Sequence, residues 1–179
     1  MSLTVNTVDY GDAPDANYGT LKASNGAAHT FVSGMFLGAG IDTETDGQAD
    51  DGADEDGIVF DAAMQADSLF ALDSFFTATA STAGKLDIWI DFNNDGDFDS
   101  NEHLNNGVSY DVVAGANTLD FTIAAGAAVT GVDTWARARF SSTGGLAPVG
   151  RANDGEVEDY QLQISPLLPA EPVDHVLPM

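Results

Sequence analysis

The feature that most constrains this chain is the segment of residues 91–102, which reads DFNNDGDFDSNE. Oxygen donors stand at positions 1, 3, 5, 7, 9 and 12 of an EF-hand-type calcium loop, and glycine stands at position 6, where such a loop turns sharply. The predicted ligands are the side chains of Asp91, Asn93, Asp95, Asp99 and Glu102 and the backbone carbonyl of Asp97. The segment predicts one calcium site, and an Asx-rich surface turn without a metal is the alternative.

The sequence around the loop differs from that of an EF-hand. Residues 86–90 alternate large apolar and polar side chains, which predicts a strand and not an entering helix. Residues 105–113 read as a turn followed by a second alternating run, so the exiting helix is missing or very short. A sensor of the calmodulin type responds by reorienting two helices, so this pattern argues against one. We expect a structural or ligand-bridging ion.

The charge of the chain is strongly negative and unevenly spread. The 179 residues carry 29 acidic and 5 basic side chains, a formal net charge of -24, and repulsion of this size destabilises a compact state unless cations offset it. Twenty of the 29 acids lie in four windows, at residues 9–15, 42–56, 91–102 and 154–159. This clustering favours cation binding, while adaptation to a saline habitat is the alternative.

Composition predicts a folded, exported module. Hydrophobic residues make up 44% of the chain, and there is no cysteine to form a disulfide. We expect one domain over residues 1–165 and a proline-rich tail or linker over residues 166–179. No signal peptide or transmembrane run is apparent. The chain is therefore either cytoplasmic or a piece of a longer exported protein. Because weak calcium sites fill outside cells, we expect the second, with an extracellular or bacterial cell-surface location.

Short apolar runs separated by glycine, asparagine and aspartate predict an all-β fold. Such spacing favours an antiparallel β-sandwich of roughly eight or nine strands with long calcium-binding loops. Strands are predicted at residues 30–37, 57–60, 68–80, 85–91, 108–113, 118–123, 134–140 and 156–164. One helical turn is predicted within residues 61–67.

A second acidic window repeats the opening of the calcium-loop spacing. Donors stand at positions 1, 3, 5 and 9, supplied by Asp42, Glu44, Asp46 and Asp50, but position 12 is an alanine. A closing carboxylate would have to come from Asp54, Glu55 or Asp56. The window predicts a second calcium site or, alternatively, a solvated acidic loop.

The last predicted strand begins with two glutamates on what becomes its apolar face. Glu156 and Glu158 share this face with Tyr160, and burying them unpaired would be costly. Either a calcium ion or the arginines of the preceding strand, Arg137 and Arg139, would compensate their charge.

Five motifs in order resemble the bacterial GEVED domain: DYGDAPD at 9–15, YGT at 18–20, DEDG at 54–57, WIDFNNDG at 89–96 and GEVEDY at 155–160. The resemblance spans about residues 9–164. It implies a β-rich module within a large secreted or surface-anchored protein, adhesins and some exoenzymes included, but no particular activity. It also implies calcium ligation by Asp91, Asn93, Asp95 and Glu102, with Asp12, Asp15, Glu156 and Asp159 as further candidates.

These observations predict a calcium-dependent ligand-binding or adhesion module. The expected partner is a peptide, including a protein's C-terminal peptide, or a glycan on another cell, bound by a monomeric module. Few lysines and arginines argue against nucleic acid and anionic membranes as partners. No nucleophile motif or zinc spacing is present, so we expect no enzyme. A calcium-stiffened spacer and a non-catalytic accessory module of a secreted hydrolase are the alternatives.

Overall fold

The computed structural model describes residues 7–41, 43–47, 55–60, 65–66, 72–123, 133–163 and 165–166. These residues form two short helical segments, α1 (Asp15–Tyr18) and α2 (Leu104–Gly107), and a 3-10 turn, Lys22–Ser24. Their twelve strands are β1 (Val8–Tyr10), β2 (Ala28–Thr30), β3 (Ile58–Phe60), β4 (Gln65–Ala66), β5 (Leu72–Ala80), β6 (Gly84–Ile90), β7 (Tyr110–Val112), β8 (Gly115–Ile123), β9 (Asp133–Ser141), β10 (Arg151–Ala152), β11 (Glu156–Gln163) and β12 (Ser165–Pro166).

Two antiparallel sheets contain most of the strand residues that the structure describes. One has the order β11-β9-β6-β7, and the other has the order β3-β5-β8. Two smaller sheets each contain a parallel pair, β2 with β10 and β4 with β12. The all-β prediction is therefore confirmed, with more strands than the eight or nine expected.

The two large sheets share one apolar core because every second residue of their strands points into it. Ile88 of β6, Ala138 and Phe140 of β9 and Phe76 of β5 are fully buried in a single cluster. Phe76 packs edge-on against Tyr110 of β7 at 5.6 Å between ring centroids. Burying each such ring or branched side chain contributes about 1.5–3 kcal/mol to stability.

The opposite face of β9 is buried as well, but it carries two arginines. Arg137 donates to both carboxylate oxygens of Asp159, each at 2.7 Å, and to the backbone carbonyl of Tyr18 at 2.8 Å. Arg139 donates to the carbonyl of Gly150 at 2.7 Å and to His29 Nε2 at 3.0 Å. These bonds attach the N-terminal segment and the loop before β10 to the outside of the four-stranded sheet.

Predicted and observed strands agree where alternation is regular and differ elsewhere. Residues 30–37 were predicted as a strand, but the strand is β2, and a turn follows in which Met35 N–H donates to the Val32 carbonyl at 3.1 Å. Gly34 has φ +83° in that turn, which interrupts an extended run. Within the predicted helical turn, Gln65–Ala66 is strand β4.

Parts of two predicted segments lie outside the described residues. These are residues 68–71 of the predicted strand 68–80 and residues 167–179 of the predicted tail. Ser165–Pro166 is described and pairs with β4. Among the residues described, no helix has the length and apolar character needed to cross a membrane.

Arg137→Met is expected to lower the free energy of unfolding by about 3–5 kcal/mol, because it leaves the fully buried Asp159 carboxylate without its cation. Adding Asp159→Asn should restore part of that loss. Lys85→Met breaks the solvent-exposed Lys85–Asp111 pair and should cost at most about 1 kcal/mol. Urea unfolding measures all three, and equal losses for Arg137→Met and Lys85→Met would contradict the prediction.

His29 is expected to make stability fall on acidification. Burial, together with the neighbouring Arg139 charge, holds the pKa of His29 well below its ordinary value of 6.5. Between these two values the unfolded chain binds a proton that the folded chain does not, so stability decreases as pH falls below about 6.5. The limiting slope is about 1.4 kcal/mol per pH unit.

The His29→Gln variant isolates this effect, because glutamine does not titrate. The difference in unfolding free energy between the natural chain and His29→Gln should shrink as pH falls from 7 to 5. A difference that stays constant with pH would show that His29 titrates normally in the folded state.

Candidate metal centre

The loop of residues 91–102 is clamped at both ends by the four-stranded sheet. Asp91 follows the last residue of β6 and donates its N–H to the Trp135 carbonyl at 3.0 Å. At the other end, the Glu102 carbonyl accepts from Ile90 N–H at 3.2 Å. Asp91 and Glu102 are both buried, with 0% and 1% exposure. The two end positions of the calcium-loop pattern therefore lie at the base of the loop.

Asp91 has one carboxylate oxygen satisfied and one without a partner. Its Oδ2 accepts from the Tyr18 hydroxyl at 2.7 Å and from Gly96 N–H at 3.0 Å. Its Oδ1 is buried and has no hydrogen-bond partner among the described residues. Leaving a buried charged oxygen unpaired costs more than the roughly 1–3 kcal/mol of a neutral group. An oxygen of this kind fits a cation ligand.

The Glu102 carboxylate, at the last position of the loop, bonds to backbone N–H groups near both ends of the loop. Its Oε1 accepts from Phe92 N–H at 3.0 Å, and its Oε2 accepts from Asp99 N–H at 2.9 Å. Burial raises the pKa of Glu102 to about 7, and the charge of Asp91 adds to the increase. The carboxyl group is thus placed where a nearby positive charge would favour its ionised form.

Three further carboxylates form a cluster at the exposed tip of the loop. Asp95, Asp97 and Asp99 each place an oxygen within 4.8 Å of the other two. Partial desolvation and the charges of Asp95 and Asp99 raise the pKa of Asp97. Asn93 stabilises the tip, since its Oδ1 accepts from Asp95 N–H at 2.8 Å. Repulsion within this cluster would be relieved by a cation.

The six predicted ligands therefore lie in one loop but in two groups. Among the described residues, the cluster at ligand distance contains the three aspartates of the tip and neither Asp91 nor Glu102. Asp97 was expected to ligate through its backbone carbonyl, whereas its carboxylate is the group that joins the cluster.

The second acidic window is only partly described. Asp42, Asp50 and Asp54 lie outside the described residues. Glu44 accepts from Tyr10 N–H at 3.0 Å, and Asp46 accepts from Lys22 N–H at 2.7 Å. Asp56 accepts from Ala39 N–H at 2.9 Å. The described members bond to separate backbone amides, so the second calcium site stays a prediction.

Two of the further candidate metal ligands, Asp15 and Asp159, are bonded to other groups of the protein. Asp15 accepts from the N–H groups of Leu21 and Thr20 and from the Ser24 hydroxyl, and these bonds lower its pKa. Asp159 is held by Arg137 and also accepts from Ala13 N–H at 2.8 Å.

Asp12, another of these candidates, lies in a cavity wall. It is partly exposed and lines a cavity of about 190 Å³ together with Glu55, Trp135, Asp159 and Gln161.

The expected salt bridges from Glu156 and Glu158 to the arginines are wrong. The register of β11 on β9 places Glu158 opposite Ala138 and Asp159 opposite Arg137, so the glutamates and the arginines point to opposite faces. Glu158 accepts instead from Gly57 N–H at 2.9 Å, and burial raises its pKa. Glu156 accepts from the N–H of Leu37.

Two residues that support the loop were not predicted as part of the site. The Tyr18 hydroxyl bonds to Asp91 Oδ2, and the Thr134 hydroxyl donates to the Asp91 carbonyl at 2.5 Å. Tyr18 stands 73 positions before Asp91, so spacing within the loop gives no signal for it.

The two tryptophans differ in exposure. Trp89 is buried and stacks on His103 with 4.3 Å between the ring centroids, while Trp135 is partly exposed.

Residues 85–163 match the family model of the GEVED domain. The matched segment contains the 91–102 loop and the strands β7, β8, β9 and β10, and it ends with β11. The motifs at residues 9–15, 18–20 and 54–57 lie outside it. No curated protein and no solved structure shows significant similarity to the chain.

Tyr18→Phe is expected to lower the free energy of unfolding by about 1.5–3 kcal/mol, because it removes a hydrogen bond to a buried carboxylate. Tyr10→Phe is the matched control, since the buried Tyr10 side chain makes no hydrogen bond through its hydroxyl among the described residues. Urea unfolding measures both variants. Equal stability of the two variants would show that the Tyr18 hydroxyl does not support the loop.

Proposed function

We propose that this chain, whose residues 85–163 match the GEVED domain, is a calcium-dependent extracellular ligand-binding or adhesion module of a larger bacterial surface protein. The observation that carries the proposal is the buried Asp91 Oδ1, which has no hydrogen-bond partner among the described residues. It lies at the base of a loop with a complete calcium-loop spacing.

The donor set of the loop fits calcium. All candidate ligands offer oxygen, which is the donor of hard cations, and the described residues include no histidine in the acidic cluster. Asp91 and Glu102 would hold the ion from the base, and Asn93, Asp95, Asp97 and Asp99 would hold it from the tip. When bound, the ion supplies positive charge that offsets the repulsion between these carboxylates.

Concave surface on both sides of the loop supports a binding role. A cavity of about 200 Å³ lies between the loop and α1, lined by Asn17, Tyr18 and Asp97 among others. A second cavity, of about 420 Å³, lies on the side of α2 and β8. An ion that holds the loop rigid would lower the entropy lost when a ligand binds beside it.

One observation favours the alternative, a spacer stiffened by calcium. The rings of Phe92, Phe98 and Tyr18 line the two cavities and are 5%, 9% and 5% exposed, so neither cavity presents an open aromatic platform. Both functions require the same ion, and they differ only in whether a ligand is bound.

A non-catalytic role fits the positions of the described histidines. His29 is fully buried against Arg139, and His103 is stacked on Trp89 with its Nε2 3.2 Å from Asp87 Oδ1. Neither is placed beside a serine hydroxyl in the bonds of the described residues.

Thermal unfolding in excess chelator, in 2 mM calcium and in 2 mM magnesium tests the calcium proposal. For a weak extracellular site with a dissociation constant of about 10⁻⁴ M, 2 mM calcium is about 20 times that constant and stabilises the folded state by about 1.8 kcal/mol. For a chain of this size that corresponds to a rise of about 4–7 °C in Tm. Magnesium should give a much smaller rise, because it binds poorly to flexible all-protein cages.

Two variants assign the effect to the loop. Glu102→Gln should abolish most of the calcium-dependent rise, because it removes the bidentate carboxylate at position 12. Asp111→Asn should keep it, because Asp111 is an exposed residue of β7 whose ion pair, within the part of the chain that the structure describes, is with Lys85. An equal rise in calcium and magnesium, or a full calcium response in Glu102→Gln, would overturn the proposal.

A further inference from the structure

The larger cavity beside the loop has a lining that the calcium proposal does not use. It has a volume of about 420 Å³, within the usual range for small-molecule sites. The described residues that line it come from three places in the chain. Asn101 belongs to the second half of the loop, Asn105 and Asn106 belong to α2, and Thr122 belongs to β8.

The lining is uncharged in a protein of formal net charge -24. No carboxylate, lysine or arginine is among the described lining residues, and the ionisable one is His103. A peptide C-terminus or a phosphate would need a cation in the wall, and a basic side chain would need a carboxylate. The cavity is therefore suited to a neutral, polar ligand.

The side chains of the cavity suit hydroxyl groups. Each asparagine amide offers two N–H donors and a carbonyl acceptor, and a hydroxyl can both donate and accept. Asn101 and Asn106 are exposed and make no hydrogen bond among the described residues, so their amides are available. Phe92 and Leu104 also line the cavity, but they are only 5% and 4% exposed, so the exposed amides provide the contacts to a ligand.

The backbone beneath two of these amides is strained. Asn105 and Asn106 both have φ +56°, and Gly107 follows with φ +77°, so three successive residues are left-handed. Left-handed geometry costs a non-glycine residue about 1–2 kcal/mol, although asparagine tolerates it better than most. Strain of this kind concentrates at ligand sites. One bond supports the turn, from Asn105 Nδ2 to the Val108 carbonyl at 3.1 Å.

We propose that this cavity binds a neutral carbohydrate through the amides of Asn101 and Asn106. The inference rests on the proposed function in one respect, since it names the ligand class of the binding module. It does not require the ion to touch the sugar. Asn101 lies next to Glu102 in the chain, so calcium would act by fixing one wall of the cavity.

Titration of the ¹⁵N-labelled full chain with glucose, galactose, mannose and N-acetylglucosamine tests the proposal by NMR, in 2 mM calcium. A single sugar unit is expected to bind with a dissociation constant of about 1 mM, as is common for ligands of about twelve non-hydrogen atoms. The shifted amide signals should map to residues 100–107 and to Thr122. No binding by any of the four sugars up to about 50 mM, roughly fifty times that constant, or shifts confined to other residues, would overturn the proposal.

Asn106→Gly removes the amide while keeping a residue that accepts positive φ. It should raise the dissociation constant about tenfold, the effect of losing one or two hydrogen bonds. Asn25→Gly is the matched control, because Asn25 also has φ +56° and does not line the cavity. It should change the constant less than twofold. Equal affinities of the two variants would overturn the assignment of Asn106.

The same samples separate this inference from the calcium proposal. If the sugar binds equally well in chelator and in calcium, and Glu102→Gln does not weaken it, the cavity assignment stands and the calcium dependence fails. If calcium raises Tm but no sugar binds, the calcium proposal stands and the carbohydrate assignment fails. Binding of an uncharged peptide, such as triglycine with an acetylated N-terminus and an amidated C-terminus, in place of the sugars would also overturn the assignment.

Discussion

The buried guanidinium of Arg137 is the contact on which the rest of this structure depends. A guanidinium has five N–H donors in a fixed plane, and here they reach Asp159 and backbone carbonyls that belong to distant parts of the chain. The carbonyl of Tyr18 is one of them, and the hydroxyl of the same tyrosine bonds to Asp91 at the base of the loop. One cation on β9 thus fixes the N-terminal segment, and that segment in turn orients the first residue of the candidate metal centre.

The fold could be predicted from the sequence where each strand has one apolar face. β6, β9 and β11 follow regular alternation, and their predicted bounds are within one residue of the observed ones. The prediction failed at residues 30–37, where Phe31 and Val32 are 39% and 41% exposed. Their β propensity was overridden by a tight turn, because propensity is weaker than tertiary context. β1 and β10 were missed because each is too short to show a period.

The sequence predicted the parts of the candidate site that are close together in the chain, and it missed the contacts that come from distant elements. The six residues of the loop pattern are within twelve positions of one another, so spacing alone places them in one loop. Tyr18 and Thr134 reach Asp91 from other elements, and no spacing rule predicts such contacts. The partner of Glu158 was misassigned for a related reason. Its face was predicted correctly, but the register that places Asp159 opposite Arg137 depends on strand pairing, which the sequence does not state.

The acidic clusters look alike in the sequence, but their carboxylates have different hydrogen-bond partners in the structure. Asp15 and Asp46 accept hydrogen bonds from backbone N–H groups of turns, which compensate their charge without a metal. Among the described residues, the loop of residues 91–102 differs in combining a cluster of three exposed carboxylates with the buried, unpartnered oxygen of Asp91. A carboxylate that already accepts hydrogen bonds from backbone N–H groups is therefore weak evidence for a bound ion in this protein. The proposal of a calcium site is best supported at Asp91, where one buried carboxylate oxygen has no such partner among the described residues.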